Sequence, residues 1–360
     1  MSKKFSSSFS VQSFISLVLL SAITISCTGN KGEWHTIQGG AWNTTYTIKY
    51  KGTSDLTDSI IATINEIDRT FSPFNPNSLV TAINNNGEYI LTADFIKVFE
   101  KSREISETSG GSFDPTVEPL LSLWGFGAER KSMSPGPDSE EIDSAIALVG
   151  ITDCLIDGDY IIKKNPATRF NFSAIAKGFG CDKIAEMMLL NDIESFMIEI
   201  GGEIRVCGKN PKDKDWVIQI DAPISIEESQ GRRSGLLKIA ATDCGIATSG
   251  NYRNSRQLAD GSKAWHTINP STGYPNITSV LSVTIIAPTT MDADGYATAV
   301  MSMKEGDAFE MLSGLTDISA MLVLSRDYDT ASLPSRGWKQ LPSNGEYLIV
   351  AKDNFPPIVK

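Results

Sequence analysis

The chain of 360 residues has two histidines, His35 and His266. His266 stands in "AWHTINPSTGYP", between an apolar run and a turn-forming Pro-Ser-Thr-Gly-Tyr-Pro stretch. A solitary imidazole can be a structural hydrogen-bonding group or a general base, and residue type alone leaves both open. Asp294 and Thr298, in "MDADGYATAV", are spaced i,i+4 and so present two oxygens on one helical face. A carboxylate and a hydroxyl so placed suit a hard cation such as Mg2+, which completes its shell with water and phosphate oxygens. The alternative is helix capping by Asp292 or Asp294. Four glycine-bearing stretches, "SGGSFDPT", "AIAKGFG", "EIGGEI" and "ATSGNY", either make tight turns or let backbone approach a ligand. None has the spacing of a Walker A or dinucleotide-binding loop. Together they suggest several backbone surfaces around one extended, phosphate-bearing ligand.

These groups need a scaffold. "TTYTIKY" (44–50) alternates as a strand does. Leu56, Ile60, Ile61, Ile64 and Ile67 fall on one helical face, and Phe95, Ile96, Val98, Phe99 and Ile105 mark a second helix. "PDSEEIDSAIALVG" opens on Pro and acids and stops at Gly150, as a short helix does. "GGSFDPTVEPLLSLWGFG" reads as a loop. "MIEIGGEIRVCG", "DWVIQIDA", "GLLKIAA" and "SVLSVTIIAP" read as strands, and "IAKGFGCDKIAEMMLL" and "ADGYATAVMSM" as helices, with loops at 130–139, 209–215 and 224–235. Strands in runs with interspersed helices predict an α+β fold. The expected form is a single large domain of two intimate lobes, with largely antiparallel sheets and packed helices.

The first residues read as an export signal: Lys3 and Lys4, an apolar stretch Phe14–Ile25, then Ser26-Cys27. Small residues before Cys27 resemble a lipoprotein cleavage box, which would make Cys27 the lipidated first residue. An ordinary secretory signal is the alternative. The expected organisation is 1–26 signal, 27–35 linker, 36–352 folded domain and 353–360 tail. The formal charge of −11 becomes −13 once Lys3 and Lys4 are removed, which argues against nucleic acid as a partner. Cys154, Cys181, Cys207 and Cys244 form no CxxC pair and sit in core-like contexts, so buried free thiols are expected rather than a zinc site.

Six segments taken together resemble the ApbE family of FAD:protein FMN transferases: "GSFDPTVEPLLSLWGFG", "FSAIAKGFGCD", "EIGGEIRVCG", "IATSGNYR", "HTINPSTGYP" and "DADGYATAV", in family order across 36–325. Where many members have Met-Gly-Thr, this chain has Trp42-Asn43-Thr44. It has Ser72-Pro73-Phe74 and Ser78-Leu79 where a Tyr and a Glu are usual, and Asn269 where an Asp commonly follows the histidine. The resemblance implies a Mg2+-dependent enzyme that cleaves FAD, attaches FMN through a phosphoester to a Thr or Ser hydroxyl of a partner protein, and releases AMP. It implies metal oxygens from Asp294, Thr298 and the Ala174 carbonyl, and His266 as the base. It implies nucleotide contacts from Trp42, Phe74, Phe113, Asp114, Asn171, Lys177 and Ile268. If the position of Asn269 tunes the imidazole, a neutral amide would leave it nearer its ordinary value of about 6.5 than a carboxylate would. Implied acceptors are exported subunits of membrane redox complexes and small FMN-carrying domains, met at the outer side of the bacterial membrane by a lipid-anchored enzyme. An FAD pyrophosphatase and a non-catalytic flavin-binding lipoprotein are the rival readings.

Overall fold

Alternating apolar residues build the sheet, and amphipathic helices cover it. In chain order, β1 (Glu33–Ala41) and β2 (Thr44–Gly52) form a hairpin. α1 (Thr57–Phe71), α2 (Leu79–Asn84), α3 (Ala93–Thr108), α4 (Glu118–Leu123) and α5 (Ser139–Ile146) follow, then the hairpin β3 (Cys154–Asp157) and β4 (Tyr160–Lys163). α6 (Ala176–Leu190) leads into β5 (Phe196–Ile200), β6 (Glu203–Cys207), β7 (Trp216–Asp221), β8 (Gly235–Ala241) and β9 (Cys244–Gly250). Next come β10 (Ser255–Gln257), β11 (Lys263–Trp265) and β12 (Val280–Ala287). The chain ends with α7 (Thr290–Ser302), α8 (Glu305–Gly314), β13 (Ser319–Ser325), β14 (Trp338–Leu341), β15 (Tyr347–Lys352) and β16 (Ile358–Val359). The computed structural model describes residues 32–128, 136–224, 234–251, 255–258, 263–343 and 345–359. The expected signal 1–26, Cys27, the linker up to residue 31, and parts of the expected loops 130–139 and 224–235 lie outside the described residues.

Nine strands form one sheet in the order β1-β2-β5-β6-β9-β12-β13-β15-β14, every pairing antiparallel. The α+β class with a dominant antiparallel sheet is therefore the one expected. Period-two alternation divides its faces. In β13, Ala320, Leu322 and Leu324 face the helical core, while Met321 and Val323 face a second core shared with β7 and β8. β16 adds to β8 within the segment expected to be a tail, and β1 begins at Glu33 within the segment expected to be a linker. The folded domain thus extends beyond 36–352 at both ends, because backbone pairing continues there. α4 lies inside the stretch expected to be a loop: Pro119 suits a first helical turn, and Leu120 and Leu123 are buried.

The helical core is anchored by stacked and edge-on phenylalanines: Phe71, Phe95, Phe99, Phe170, Phe172 and Phe179. Each such ring contributes about 1.5–3 kcal/mol when fully buried. Phe170 and Phe172 point into this core, which turns the intervening Asn171 the other way. Asn84 clamps the same segment, accepting from the Phe170 amide at 2.6 Å and donating to its carbonyl at 2.9 Å. α7 is buried on nearly every side, with Ala293, Gly295, Ala297 and Ala299 allowing close neighbours.

Candidate active site

One cavity of about 250 Å3 opens where α4, α6, α7, the end of β9 and the His266 segment meet. Its lining includes Phe113, Asp114, Asn171, Ala174, Lys177, His266, Ile268, Asp294 and Thr298, nine of the residues singled out in the sequence. Trp42 and Phe74 are not among the lining residues. Trp42 sits in the β1–β2 turn at φ 50, its ring over Gly180 and its indole Nε1 buried without a partner. Phe74 is 53 % exposed just after α1.

One wall is made by α6 and α7. The Lys177 ammonium lies 3.0 Å from Glu203 Oε1 and 3.7 Å from Asp294 Oδ1. The second Asp294 oxygen, Oδ2, accepts from the Gly178 amide at 3.0 Å. That approach requires glycine: a Cβ on Gly178 would fall 2.4 Å from the Thr290 carbonyl oxygen. Thr298 Oγ1 lies 3.5 Å from the Ala174 carbonyl, to which it donates. Asp294 does not cap its own helix. Thr289 does so, accepting from the Asp292 amide at 3.1 Å. Burial pushes the Asp294 carboxyl well above its ordinary range; Lys177 opposes this and Glu203 adds to it. Burial alone would lower the Lys177 ammonium, but Asp294 and Glu203 more than reverse this and raise it.

Glu203 is a cavity-lining residue that sequence reasoning missed. It lines the cavity, is 5 % exposed, and its Oε2 has no hydrogen-bond partner. It follows the Gly201-Gly202 turn of β5–β6, whose φ values of 64 and 107 explain both glycines. The only signal was a carboxylate directly after a paired glycine, in a segment that reads as an ordinary hairpin.

The other wall carries His266, half-buried, with the Phe126 ring 6.4 Å away. The Asn269 side chain holds the turn after His266 and the end of α7. Its Oδ1 accepts from the Ser271 and Thr272 amides, and its Nδ2 donates to the Ser302 carbonyl at 2.8 Å. An ionised Asp could make the turn but could not make that last bond. Asn276 Nδ2 likewise donates to the Met301 and Met303 carbonyls, and Trp124 Nε1 to the Gly273 carbonyl. Two expected nucleotide contacts are already engaged. Asp114 accepts from Thr116 and from the Ile151 amide, and Asn171 donates to Glu118 and accepts from the Ser173 amide.

Among the described residues, no group of three or more His, Cys, Asp or Glu could hold a metal ion. The set at hand is instead one carboxylate, one hydroxyl and one carbonyl: Asp294, Thr298 and Ala174. Such an all-oxygen set with a single carboxylate fits a hard cation that takes its remaining ligands from water and phosphate, and not zinc or copper.

Residues 42–322 match the sequence profile of the ApbE family. The chain is 30% identical over 353 residues to the FAD:protein FMN transferase of Haemophilus influenzae, covering 93% of this chain and 100% of that protein. It is 34% identical over 278 residues to the FAD:protein FMN transferase of Vibrio cholerae, covering 75% and 81%. The solved structure of the flavin transferase ApbE from Vibrio cholerae superposes with a TM-score of 0.76 at 29% identity, covering 91% of this chain and all of that one.

Proposed function

The chain belongs to the ApbE family and is an FAD:protein FMN transferase, and from that premise we propose how its cavity works. The carrying observation is that Asp294, Thr298, Ala174, Lys177 and His266 line one space. The acceptor's Thr or Ser oxygen bonds to the FMN-side phosphorus of FAD. The P–O bond to the adenylate phosphate breaks, AMP leaves with that oxygen, and the hydroxyl proton passes to a base. His266, which lines the same cavity as the charged cluster, takes that proton. Lys177 places an ammonium against the pyrophosphate. Asp294, Thr298 and the Ala174 carbonyl would hold Mg2+, which when bound neutralises phosphate charge.

Ligand pockets usually measure about 300–1,000 Å3, so FAD extends beyond a cavity of this size. Phe113, Asp114, Asn171 and Ile268 contact it within the lining. Phe74 and Trp42 reach it only outside that lining, Phe74 by its exposed ring. The test is incubation with FAD, Mg2+ and a Thr-bearing acceptor domain. Covalently yellow acceptor with equimolar AMP is the expected result; AMP without labelled acceptor would make the enzyme a pyrophosphatase.

The enzyme is further proposed to be exported, cleaved before Cys27 and held to the outer face of the membrane by lipid. There it meets exported redox subunits or FMN-carrying domains. Among the described residues, no helix is long and apolar enough to cross a membrane. Cys27→Ala should fold and transfer FMN yet leave the membrane fraction. Retention there after a salt wash would remove the lipid reading.

A further inference from the structure

Two short rows of residues meet where α6 packs on α7. Gly178 and Asp182 are i,i+4 on α6, and Thr290 and Asp294 are i,i+4 on α7. The contacts are reciprocal. The Gly178 amide donates to Asp294 Oδ2, and the Thr290 and Met291 amides donate to Asp182 Oδ1 and Oδ2 at 2.9 and 2.8 Å. Asp182 is itself backed by Arg205, whose Nη1 lies 4.0 Å away and also bonds the Pro288 carbonyl just before α7.

We propose that Asp182 is a positioning residue for the cation site: its carboxylate sets the height of α7 on α6, and thereby where Asp294 stands relative to Lys177 and the Ala174 carbonyl. Both oxygens are spent on the first two amides of α7, so sliding the helix breaks both bonds at once. A shift of one ångström would also separate Asp294 from the Gly178 amide, because no side chain intervenes between the two backbones. Thr289 already caps α7 locally, so the helix itself does not require Asp182; the docking of the helix does. The inference rests on the reading of Asp294 as the cation's carboxylate.

The experiment compares Asp182→Ala and Asp182→Asn with wild type and with Thr92→Ala. Thr92 caps α3 by accepting from the Phe95 amide at 3.1 Å, so its removal is a control for lost capping alone. Hydrogen exchange in magnesium-free protein reads the Gly178 amide directly. In parallel, FMN transfer is followed against Mg2+ concentration. Loss of a group that orients a metal ligand typically weakens metal affinity about ten- to a hundred-fold. Asp182→Ala should therefore raise half-saturating Mg2+ by about ten-fold or more and speed exchange at Gly178. Asp182→Asn, which keeps one acceptor oxygen, should fall between. Thr92→Ala should change neither readout. Faster exchange at Thr290 and Met291 alone, with Gly178 and the Mg2+ requirement as in wild type, overturns the proposal. If Asp182→Ala does not fold, the same two readouts on Asp182→Asn decide. An Asp294→Ala variant with a wild-type Mg2+ requirement would overturn the metal reading instead, and leave the Gly178 exchange to judge Asp182.

Discussion

The α6 wall and the His266 wall grip the same helix from opposite ends, and with different groups. At the start of α7, the Asp182 carboxylate accepts from two free amides. At its end, the neutral side-chain amides of Asn269 and Asn276 donate to the free carbonyls of Met301, Ser302 and Met303. Each choice matches what a helix end lacks. The difference also fits the proposed chemistry: full charges gather where the phosphates are proposed to be held, and uncharged groups hold the segment that carries the proposed base, His266.

The sharpest way to break this comparison is to remove the charge at the centre of the first wall. Asp294→Ala should bring transfer down about a thousand-fold or more at ordinary Mg2+, since it deletes the one carboxylate of the proposed cation set. Thr298→Ala should cost less, because water can replace a neutral hydroxyl. Activity of Asp294→Ala within a few-fold of wild type would return that residue to a structural role.

On the second wall, His266→Ala should lower transfer about 10²–10⁴-fold while FAD binding, followed by flavin fluorescence, stays within a few-fold. Binding lost in step with transfer would make His266 a ligand-holding residue. Gly178→Ala forces a Cβ against the Thr290 backbone and should cost about 1–3 kcal/mol of stability in a denaturant titration. A stable, fully active variant would show that the two helices separate easily. Asn276→Ala should cost about 1 kcal/mol and slow transfer a few-fold with the Mg2+ requirement unchanged. A changed requirement would mean that the two walls are not independent.

The smallest expected effect concerns the thiols. Burial pushes Cys154 up to about 12, Cys207 and Cys244 up to about 11, and Cys181, behind Lys177, well above its ordinary value. The thiolate is the reactive form, so iodoacetamide at pH 8 should leave these four unmodified and activity intact, as mass spectrometry would show. Labelling of Cys181 in the native protein would reveal an opening of the first wall.

Much of this arrangement is legible in the sequence because it depends on local spacing. Asp294 and Thr298 share a helical face whatever the fold, and strands such as β7 and β12 announce themselves by their apolar content. The partners of α7 are not legible in that way. Asp182 lies 108 positions before Thr290, and Glu203 lies in a hairpin whose pattern is satisfied without it. The bond from Asn269 to the end of α7 is hidden for the same reason, since its partner Ser302 lies 33 positions on. β13 and β15 escaped notice because strands buried on both faces lose the alternation that marks a half-exposed one.

The clamping of α7 at both ends also governs when the enzyme can exist. Gly178 and Asp294 are 116 positions apart, and closing a loop of that size is slow relative to forming the local helices and hairpins. A growing chain that has not yet supplied α7 lacks both Asp294 and Thr298 of the proposed cation set and the carbonyls that seat the His266 segment. On refolding from denaturant, FMN transfer should therefore return in a single late phase, after most of the far-ultraviolet circular dichroism has recovered. Thermal opening of this one helix should abolish nucleotide chemistry and acceptor chemistry together.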